Sequence, residues 1–415
     1  MRPFPAPVLA PCTLAAAVAL MAGAALGACG SPETHPVTPP APTTSAPPPV
    51  ASAAPTDTPP PPAPDAGASA SSLPERSPLP FCVQAQYPST PRLFRMQDDT
   101  LLVTTSEPAT LCDRGGACAD IPDKLKLPAN LAMHDVIAAA GHWPSDAWMT
   151  LSMPVGEGTG YRVVHLADGR WREEARAERG WLPVYQRLAT SPDGRVAGIA
   201  TFQVDGQHAT PAQISAGAAH AYRLDLLGGA FGAGLPAVAN NETPFALALL
   251  RGGEALVIIE RVVGEEGHSI LLRRAAAGPK ELVLPLPGNV AGVDVEVHAL
   301  QATTGSVAYA AGGVSGVLHG YLARIEAGRA ASVDVPDAVG LIEDIAVEPD
   351  ETVWAVAGGR VFVRSPAGKW EHVTVSAEPG TSCSTTDIEA RAAGDVYVSA
   401  KCDSGHLFVL RTRCP

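Results

Sequence analysis

The sequence predicts an all-β domain built from repeated small sheets, and three observations lead to this prediction. Two segments share one order of acidic turn, tryptophan strand, alternating strand, glycine turn and second tryptophan: SDAWMTLSMPVGEGTGYRVVHLADGRWREE from Ser145 and DETVWAVAGGRVFVRSPAGKWEHV from Asp350. Weaker copies recur along the chain, with turns near residues 99, 194, 253, 305 and 394. No stretch has the periodicity of a long amphipathic helix. Short strands separated by turns at regular intervals are typical of all-β repeat folds.

The repeat favours a β-propeller over residues 81–415, with seven blades as the best fit. Together with the turns near 146 and 351, the copies give seven units of four short strands. A single small sheet cannot bury both of its faces, whereas a ring buries each sheet between its neighbours. We therefore expect a strand beginning at Phe81 to join the last blade and close the ring. Six or eight blades, or a pair of β-sandwiches, also fit the spacing.

Residues 1–28 predict a signal peptide that is removed immediately before Cys29. The apolar stretch from Leu14 to Leu26 is shorter than the ~20 residues that a membrane span needs, and it suits the core of a signal peptide. The letters LGAC at residues 26–29 resemble the lipobox of bacterial lipoproteins. This resemblance implies cleavage before Cys29, a diacylglycerol on its thiol and an acyl chain on its amino group. An ordinary secretory signal is the alternative, and both interpretations export the protein.

The resemblance to lipoproteins also predicts a location. The residue after the cysteine is Gly30 rather than aspartate, which favours the outer membrane, with the domain facing the periplasm or the cell surface. Residues 29–80 then form a linker rich in proline, alanine, serine and threonine, whose composition buries too little apolar surface to fold. We expect a disordered, partly polyproline tether, although a ligand for a polyproline-binding domain is the alternative use of the prolines.

Charge and cysteine content limit the partners and the compartment. The formal net charge is −13, and it becomes −14 when the signal peptide removes Arg2. This acidity disfavours nucleic acid as a direct partner. Six cysteines follow Cys29, and export makes disulfides the expectation, with fifteen pairings open in principle. We favour three bonds: Cys112 with Cys118, Cys383 with Cys402, and Cys82 with Cys414 across the two ends of the domain.

Polar residues recur where the strands lining the central channel should begin. Stepping ten residues back from Trp354, Tyr397, Ala308 and Ala197 gives four candidates, and a fifth lies near the equivalent place in the Trp148 repeat. The candidates are Asp344, Asp387, His298, Arg187 and Asp135, with Glu296, Glu343 and Glu389 close by. Carboxylates and a histidine converging at a channel mouth could hold Ca²⁺ through oxygen ligands, although the sequence firmly implies no cofactor. The alternative is that polar residues simply begin strands facing a wet channel.

No catalytic motif names a reaction. The chain lacks a zinc-protease helix motif, a nucleophile elbow, a Walker loop and a dinucleotide-binding fingerprint. The patterns SDAW…ADGRW and DETVW…AGKW resemble the propeller-repeat lipoproteins of Gram-negative bacteria and, more distantly, the Asp-box repeats of sialidase-like propellers. The stretch SPDG from Ser191 lacks the Thr-Trp ending of an Asp-box, so glycan cleavage is not carried over.

The sequence therefore favours a non-enzymatic function. We expect a membrane-anchored binding or scaffolding module of the cell envelope whose ligand is a protein or a polymer such as a polysaccharide. The alternative from another class is a propeller hydrolase, lactonase-like or glycan-cleaving, with a metal or carboxylate site at the channel mouth. A purely structural envelope protein is a third interpretation.

Overall fold

The computed structural model describes most of the chain from residue 73 onward. The predicted signal peptide, Cys29, most of the linker and Cys414 lie outside the described residues. The described ranges are 73–76, 81–105, 108–129, 131, 135–155, 158–173, 181–204, 219–227, 242–263, 266–275, 278–288, 294–303, 305–378 and 380–413.

Antiparallel sheets of consecutive strands make up the domain. Sheet 1 contains β2 (Arg92–Arg95), β3 (Leu101–Thr104), β4 (Pro108–Cys112) and β5 (Cys118–Asp120). A 3-10 turn (Asp123–Leu125) precedes sheet 2, which contains β6 (Asp135–His142), β7 (Asp146–Val155), β8 (Gly158–Ala167) and β9 (Arg170–Glu173). Sheet 3 contains β10 (Trp181–Thr190), β11 (Val196–Val204) and β12 (Ala219–Leu227).

The second half of the domain repeats this pattern. Sheet 4 contains β13 (Glu242–Leu249), β14 (Ala255–Val263), β15 (Glu266–Ala275) and β16 (Gly278–Leu282). Sheet 5 contains β17 (Val295–Ala302), β18 (Val307–Val314), β19 (Gly320–Glu326) and β20 (Arg329–Ser332). Sheet 6 contains β21 (Asp344–Val347), β22 (Val353–Ala357), β23 (Arg360–Arg364) and β24 (Trp370–Val373). Sheet 7 contains β25 (Cys383–Ala392), β26 (Asp395–Cys402), β27 (Leu407–Arg411) and the first strand, β1 (Cys82–Tyr87).

The first strand of each sheet, except β1, lies innermost, and these strands contact one another in a closed ring. The contacts run from β2 to β6, β10, β13, β17, β21 and β25, and from β25 back to β2. The described residues therefore form a β-propeller, as the sequence predicts. The prediction of seven units of four strands needs correction: six sheets are complete four-stranded blades, and sheet 3 has three described strands. Residues 228–241, between β12 and β13, lie outside the described residues.

Apolar side chains between neighbouring sheets form the core. Each pair of adjacent sheets encloses its own apolar cluster; Met149 of sheet 2, for example, packs with Leu102 of sheet 1, and Val361 of sheet 6 packs with Leu410 of sheet 7. Burying each such side chain contributes ~1.5–3 kcal/mol. The core is thus distributed around the ring, which explains why the strands read as short apolar runs rather than as strict alternations.

The repeated tryptophans join neighbouring elements. Trp354 is fully buried, and its indole N–H donates to Glu348 at 2.6 Å. The outer tryptophan of the same repeat, Trp370, donates to the main-chain oxygen of Asp334 at 2.9 Å. Its counterpart Trp171 donates likewise to the main-chain oxygen of Leu125 at 3.0 Å. Both outer tryptophans therefore bind the connection that enters their sheet, so the sequence repeat reflects packing.

Sheet 7 joins the two ends of the domain. β1 pairs with β27, with Cys82 opposite Arg411, which confirms that the strand after Phe81 closes the ring. In the same sheet Arg411 and Arg391 bind Asp395, whose side chain has no exposed surface. Both guanidinium groups also donate to main-chain oxygens of the β4–β5 turn in sheet 1. Gly116 in that turn has φ +83°, and a Cβ there would overlap the Arg411 guanidinium.

Two of the three predicted disulfides are present. Cys112 bonds Cys118 across β4 and β5, and Cys383 bonds Cys402 across β25 and β26. Cys82 is also disulfide-bonded. Because its predicted partner lies outside the described residues, that pairing stays a prediction.

A short piece of the predicted linker pairs with the outer edge of sheet 6. Residues 73–76, here called the strap, run parallel to β24: His372 N–H donates to Pro74 O at 3.1 Å, and Arg76 N–H donates to His372 O at 2.9 Å. Leu73 packs against the apolar cluster between sheets 5 and 6. The strap covers an otherwise unpaired strand edge, which sheets generally need protected. No helix of the described part of the chain is long and apolar enough to cross a membrane.

Candidate ligand-binding channel

The inner strands share one irregularity that sets the geometry of the central channel. In β6, β10, β13, β17 and β25 the pairing register shifts by one residue, and four or more regularly paired residues follow the shift. β2 and β21 consist of the four paired residues alone. The first residue after each shift, or the first residue of β2 and β21, occupies an equivalent position. These positions, here called the waist ring, are Arg92, Ala138, Arg187, Ala246, Ala299, Asp344 and Asp387.

The waist ring is chemically asymmetric. Its two acids come from the adjacent strands β21 and β25, and its two arginines come from β2 and β10. Alanine fills the three remaining positions, so little side-chain volume obstructs the channel there. A bulge redirects side chains locally, which is how β-sheets often aim groups at a site.

Asp344 and Asp387 form a hydrogen-bonded carboxyl pair. Asp387 Oδ2 accepts the Leu93 N–H of sheet 1 at 2.7 Å, and Asp344 Oδ2 accepts the Ile388 N–H of sheet 7 at 3.2 Å. Burial, together with the charge of Asp387, raises the pKa of Asp344 well above its ordinary value. Burial also raises the pKa of Asp387, although its hydrogen bonds and Arg92 oppose the change. Two carboxyl groups this close disfavour the ionisation of both together, which raises the pKa of the pair.

Glu389 extends the acidic wall two residues beyond Asp387. Its Oε2 accepts the Gln301 side-chain amide at 3.2 Å, and Gln301 Oε1 accepts the Val347 N–H at 2.6 Å. Burial and the nearby Asp387 raise the pKa of Glu389 to about 8. The three acids are half-buried among neighbouring strands, and Asp344 and Glu389 line the channel cavity. At neutral pH the Glu389 carboxyl group is therefore mostly protonated.

The two arginines of the waist ring occupy different places: Arg92 lies beside Asp387, whereas Arg187 lies across the ring from the two aspartates. Burial, reinforced by the positive charge of Arg92, lowers the pKa of Arg187. The two guanidinium groups therefore lie close enough to repel each other. Arg95 is neutralised locally, because its guanidinium binds Asp99 at 2.8 Å.

A cavity of about 530 Å³ occupies the channel. All seven inner strands, or the turns that follow them, contribute to its lining. The polar lining residues are Arg95, Gln97, Asp99, Arg187, Thr190, Ser191, Arg251, His298, Gln301, Thr303, Asp344 and Glu389. Its volume falls within the range of ~300–1,000 Å³ typical of pockets for small ligands.

The structure brings together three of the five predicted site residues. Asp344, Asp387 and Arg187 belong to the waist ring; the last two lie within their strands rather than at the strand starts predicted from sequence. His298 is instead the extra residue of the β17 bulge, exposed beside Ala299, although it lines the cavity. Asp135 is the exposed first residue of β6, three residues before the ring position Ala138.

The misplacement of His298 has a simple cause. In the observed register Tyr309, not Ala308, corresponds to Trp354, so the ten-residue step leads to Ala299. Of the neighbouring glutamates only Glu389 joins the site; Glu296 binds Ser315, and Glu343 is exposed.

The sequence analysis missed Arg92 and Gln301. Arg92 stands ten residues before Leu102 in the first, weakest repeat, where no aromatic residue marks the register. Among the described residues no group of three His, Cys, Asp or Glu side chains could hold a metal ion. Calcium binding stays a prediction.

Comparison with known proteins adds information about the fold only. No protein-family model and no curated protein matches the chain. Among solved structures, virginiamycin B lyase from Staphylococcus aureus is 11% identical, with a TM-score of 0.47, covering 80% of this chain and 98% of that one. A gluconolactonase from Xanthomonas campestris is 15% identical, with a TM-score of 0.36, covering 81% and 98%. A chain of a mitotic checkpoint complex is 12% identical, with a TM-score of 0.47, covering 86% and 96%. Similarities this weak carry no information about activity.

Proposed function

We propose that the protein is an exported lipoprotein, anchored to the outer membrane through Cys29, whose β-propeller binds an envelope protein or polymer without transforming it. The lipobox-like LGAC and the proline-rich segment after it support anchoring on a tether. The binding site in this proposal is the central channel, which receives a small part of the partner such as a chain end.

The observation that carries this proposal is how the channel acids are bonded. Asp387 accepts a main-chain N–H from sheet 1, and Asp344 accepts one from sheet 7. Gln301 links sheet 5 to sheet 6 in the same way. These side chains hold neighbouring inner strands together, so they act as fixed wall groups. A preformed, rigid site loses little entropy on binding, which favours recognition.

One observation favours the second candidate, a hydrolase. Glu389, with a pKa of about 8, is protonated at neutral pH as general acid catalysis requires, and it lies beside Asp344, whose pKa is also raised. A lactonase-like or glycan-cleaving reaction would use Asp344 or Glu389 as the acid and Asp387 as the base.

Binding and turnover are separable with the intact lipoprotein in detergent. Immobilised protein should retain a defined component of solubilised envelope, and a His298→Trp variant, which adds a larger ring at an exposed residue lining the channel cavity, should not. His406→Trp, the same change at an exposed histidine outside the cavity, provides the control. The same preparations are then assayed against lactones and glycosides. Turnover that is lost in a folded Asp387→Asn variant would replace the binding proposal with the hydrolase.

A further inference from the structure

We infer that the outer edge of sheet 6 is a binding site for an extended segment of a partner protein, and that the strap occupies this site as an internal competitor. The partner segment carries an apolar residue, an acidic residue two positions later and an arginine directly after the acid. The site is formed by β24, the outermost strand of sheet 6, whereas the channel cavity is lined by the innermost strand, β21. The inference therefore does not depend on the function proposed for the channel.

The main-chain contacts of the strap are those of an added strand. His372 donates its N–H to Pro74 O at 3.1 Å and accepts the Arg76 N–H at 2.9 Å, in parallel pairing. Pro74 has no N–H, but only its carbonyl group is used, and its ring restricts φ and so lowers the entropy lost on binding. Addition of an extended peptide to an exposed strand edge is a common mode of peptide recognition.

The side chains of the strap reach both faces of sheet 6. Leu73 packs against the apolar cluster between sheets 5 and 6. The Arg76 guanidinium lies 5.7 Å from the ring centre of Trp354, which belongs to the cluster between sheets 6 and 7. Successive side chains of an extended strand point to opposite faces, so residues three positions apart straddle the edge. This spacing gives the site a preference for an apolar residue followed three positions later by an arginine.

Acidic side chains favour a cation at the arginine position. Arg76 Nε lies 3.9 Å from Glu371 Oε2, and the Arg76 charge opposes the rise in the pKa of Glu348 that burial causes. An aromatic face beside carboxylates attracts a guanidinium through both its charge and its planar shape. At the preceding position, Thr374 Oγ donates to Glu75 Oε1 at 2.6 Å. The β24 edge therefore contacts side chains at three of the four strap positions or their neighbours.

The strap is bound loosely enough to be replaced. Pro74 and Glu75 are exposed, and Leu73 is only half-buried. Arg76 keeps 37% of its side chain exposed. The sheet beneath the strap is already complete with four strands, so release of the strap leaves the blade intact. Because the strap belongs to the same chain, it competes at an effective concentration of roughly 1 mM, and a natural partner needs contacts beyond these four residues to displace it.

The test uses the full-length protein in detergent and a synthetic peptide, ASSLPERSP, that copies residues 70–78. Ligand-observed NMR titration detects weak binding at peptide concentrations up to about 5 mM, near the effective concentration that a short linker gives. A double variant, Leu73→Asp with Arg76→Glu, removes the two side-chain contacts of the internal competitor. It should bind the peptide about tenfold more tightly than the wild type, because a strap that is seated about nine-tenths of the time weakens a competitor by that factor. The scrambled peptide SPRSAPLES should bind neither protein.

A charge exchange tests the arginine position. In the double variant, a further Glu371→Lys change should weaken the binding of ASSLPERSP several-fold. The same protein should prefer ASSLPEESP, in which glutamate replaces the arginine, because Lys369 already lies beside this position and then also attracts the peptide. Glu281→Lys, at an exposed glutamate on β16, the outer strand of sheet 4, is the matched control and should leave both affinities unchanged.

The other outcomes overturn the inference. If the double variant does not bind ASSLPERSP, or binds the scrambled peptide equally well, the β24 edge is not a peptide site. Equal affinities of the wild type and the double variant would reject competition by the strap. Self-association of the wild type that the double variant loses, measured by sedimentation, would make a second copy the occupant and reject a separate partner. His298→Trp should leave peptide binding unchanged, so failure of the channel proposal is distinguishable from failure of this inference.

Discussion

Replacing Glu389 by glutamine should stabilise the propeller at alkaline pH and leave its stability at acid pH nearly unchanged. Burial and Asp387 raise the pKa of Glu389 to about 8 from an ordinary value of 4.5. A raised pKa means that the folded state holds the proton more tightly than the unfolded state does. The resulting stabilisation is fully present below about pH 4.5 and is lost progressively as the pH rises through about 8.

The size of the effect follows from the shift. A difference of roughly 3.5 pKa units, at about 1.4 kcal/mol per unit, gives an upper limit of about 5 kcal/mol. Channel water reaches part of the Glu389 side chain and screens its charge, so we expect roughly half of this limit. Glutamine has the shape of the protonated acid and can still accept the Gln301 amide hydrogen bond. The variant should therefore be about 2–3 kcal/mol more stable than the wild type near pH 9, at no cost near pH 4.

Urea unfolding of both proteins across this pH range measures the difference directly. Glu343→Gln, at an exposed glutamate that follows no inner-strand bulge, is the matched control and should give equal stabilities at every pH. If the difference in free energy of unfolding between Glu389→Gln and the wild type is the same at every pH from about 4 to about 9, Glu389 titrates normally. The assignment of a protonated Glu389 at neutral pH would then be wrong.

Three further outcomes are expected. Cys29→Ser should move the protein from the membrane fraction to the soluble fraction, because our proposal places the lipid on that thiol; unchanged fractionation would reject lipidation there. Asp395→Asn should cost about 3 kcal/mol, since it leaves two buried guanidinium groups without their carboxylate. Burial opposes ionisation of Asp395, but the hydrogen bonds from Arg411 and Arg391 outweigh it and lower the pKa of Asp395. The wild type should therefore lose this stability only as the pH falls below about 4. An Asp395→Asn variant as stable as the wild type in urea at neutral pH would contradict the ion cluster. Leu73→Asp should expose the β24 main chain to faster hydrogen exchange, whereas unchanged protection of His372 N–H would argue against the strap.

The sequence predicted the repeated sheets well because each repeat carries its own packing signal. Trp148 and Trp354 sit at one register, and each indole N–H donates to a nearby acid, Asp146 or Glu348. Local turns and paired tryptophans are encoded within a single unit. Ring closure was also predictable, because a single strand that precedes the first sheet closes the ring by pairing with the edge of the last sheet.

The site was predicted less completely because bulges and long-range pairs leave little local trace. The ten-residue step led to His298 because it was counted from Ala308, whereas Tyr309 in SVAYAAGG matches Tyr397 in DVYVSAK and leads to Ala299. Gln301 acts by reaching Glu389, which is distant in sequence, and no pattern within one repeat indicates such a partner. The raised pKa values arise from the same convergence of separate strands, so composition alone does not reveal them.

The strap has a mechanical consequence. If the chain is anchored through Cys29, as proposed, a pull from the membrane reaches residues 73–76 before it reaches β1. The first bonds under tension are then those joining Pro74 and Arg76 to His372 and the contact between Arg76 and Glu371. The disulfide-bonded Cys82 lies further along the chain. The strap would thus detach from β24 before β1 separates from β27, which would lengthen the segment between the anchor and the propeller while the ring stays closed.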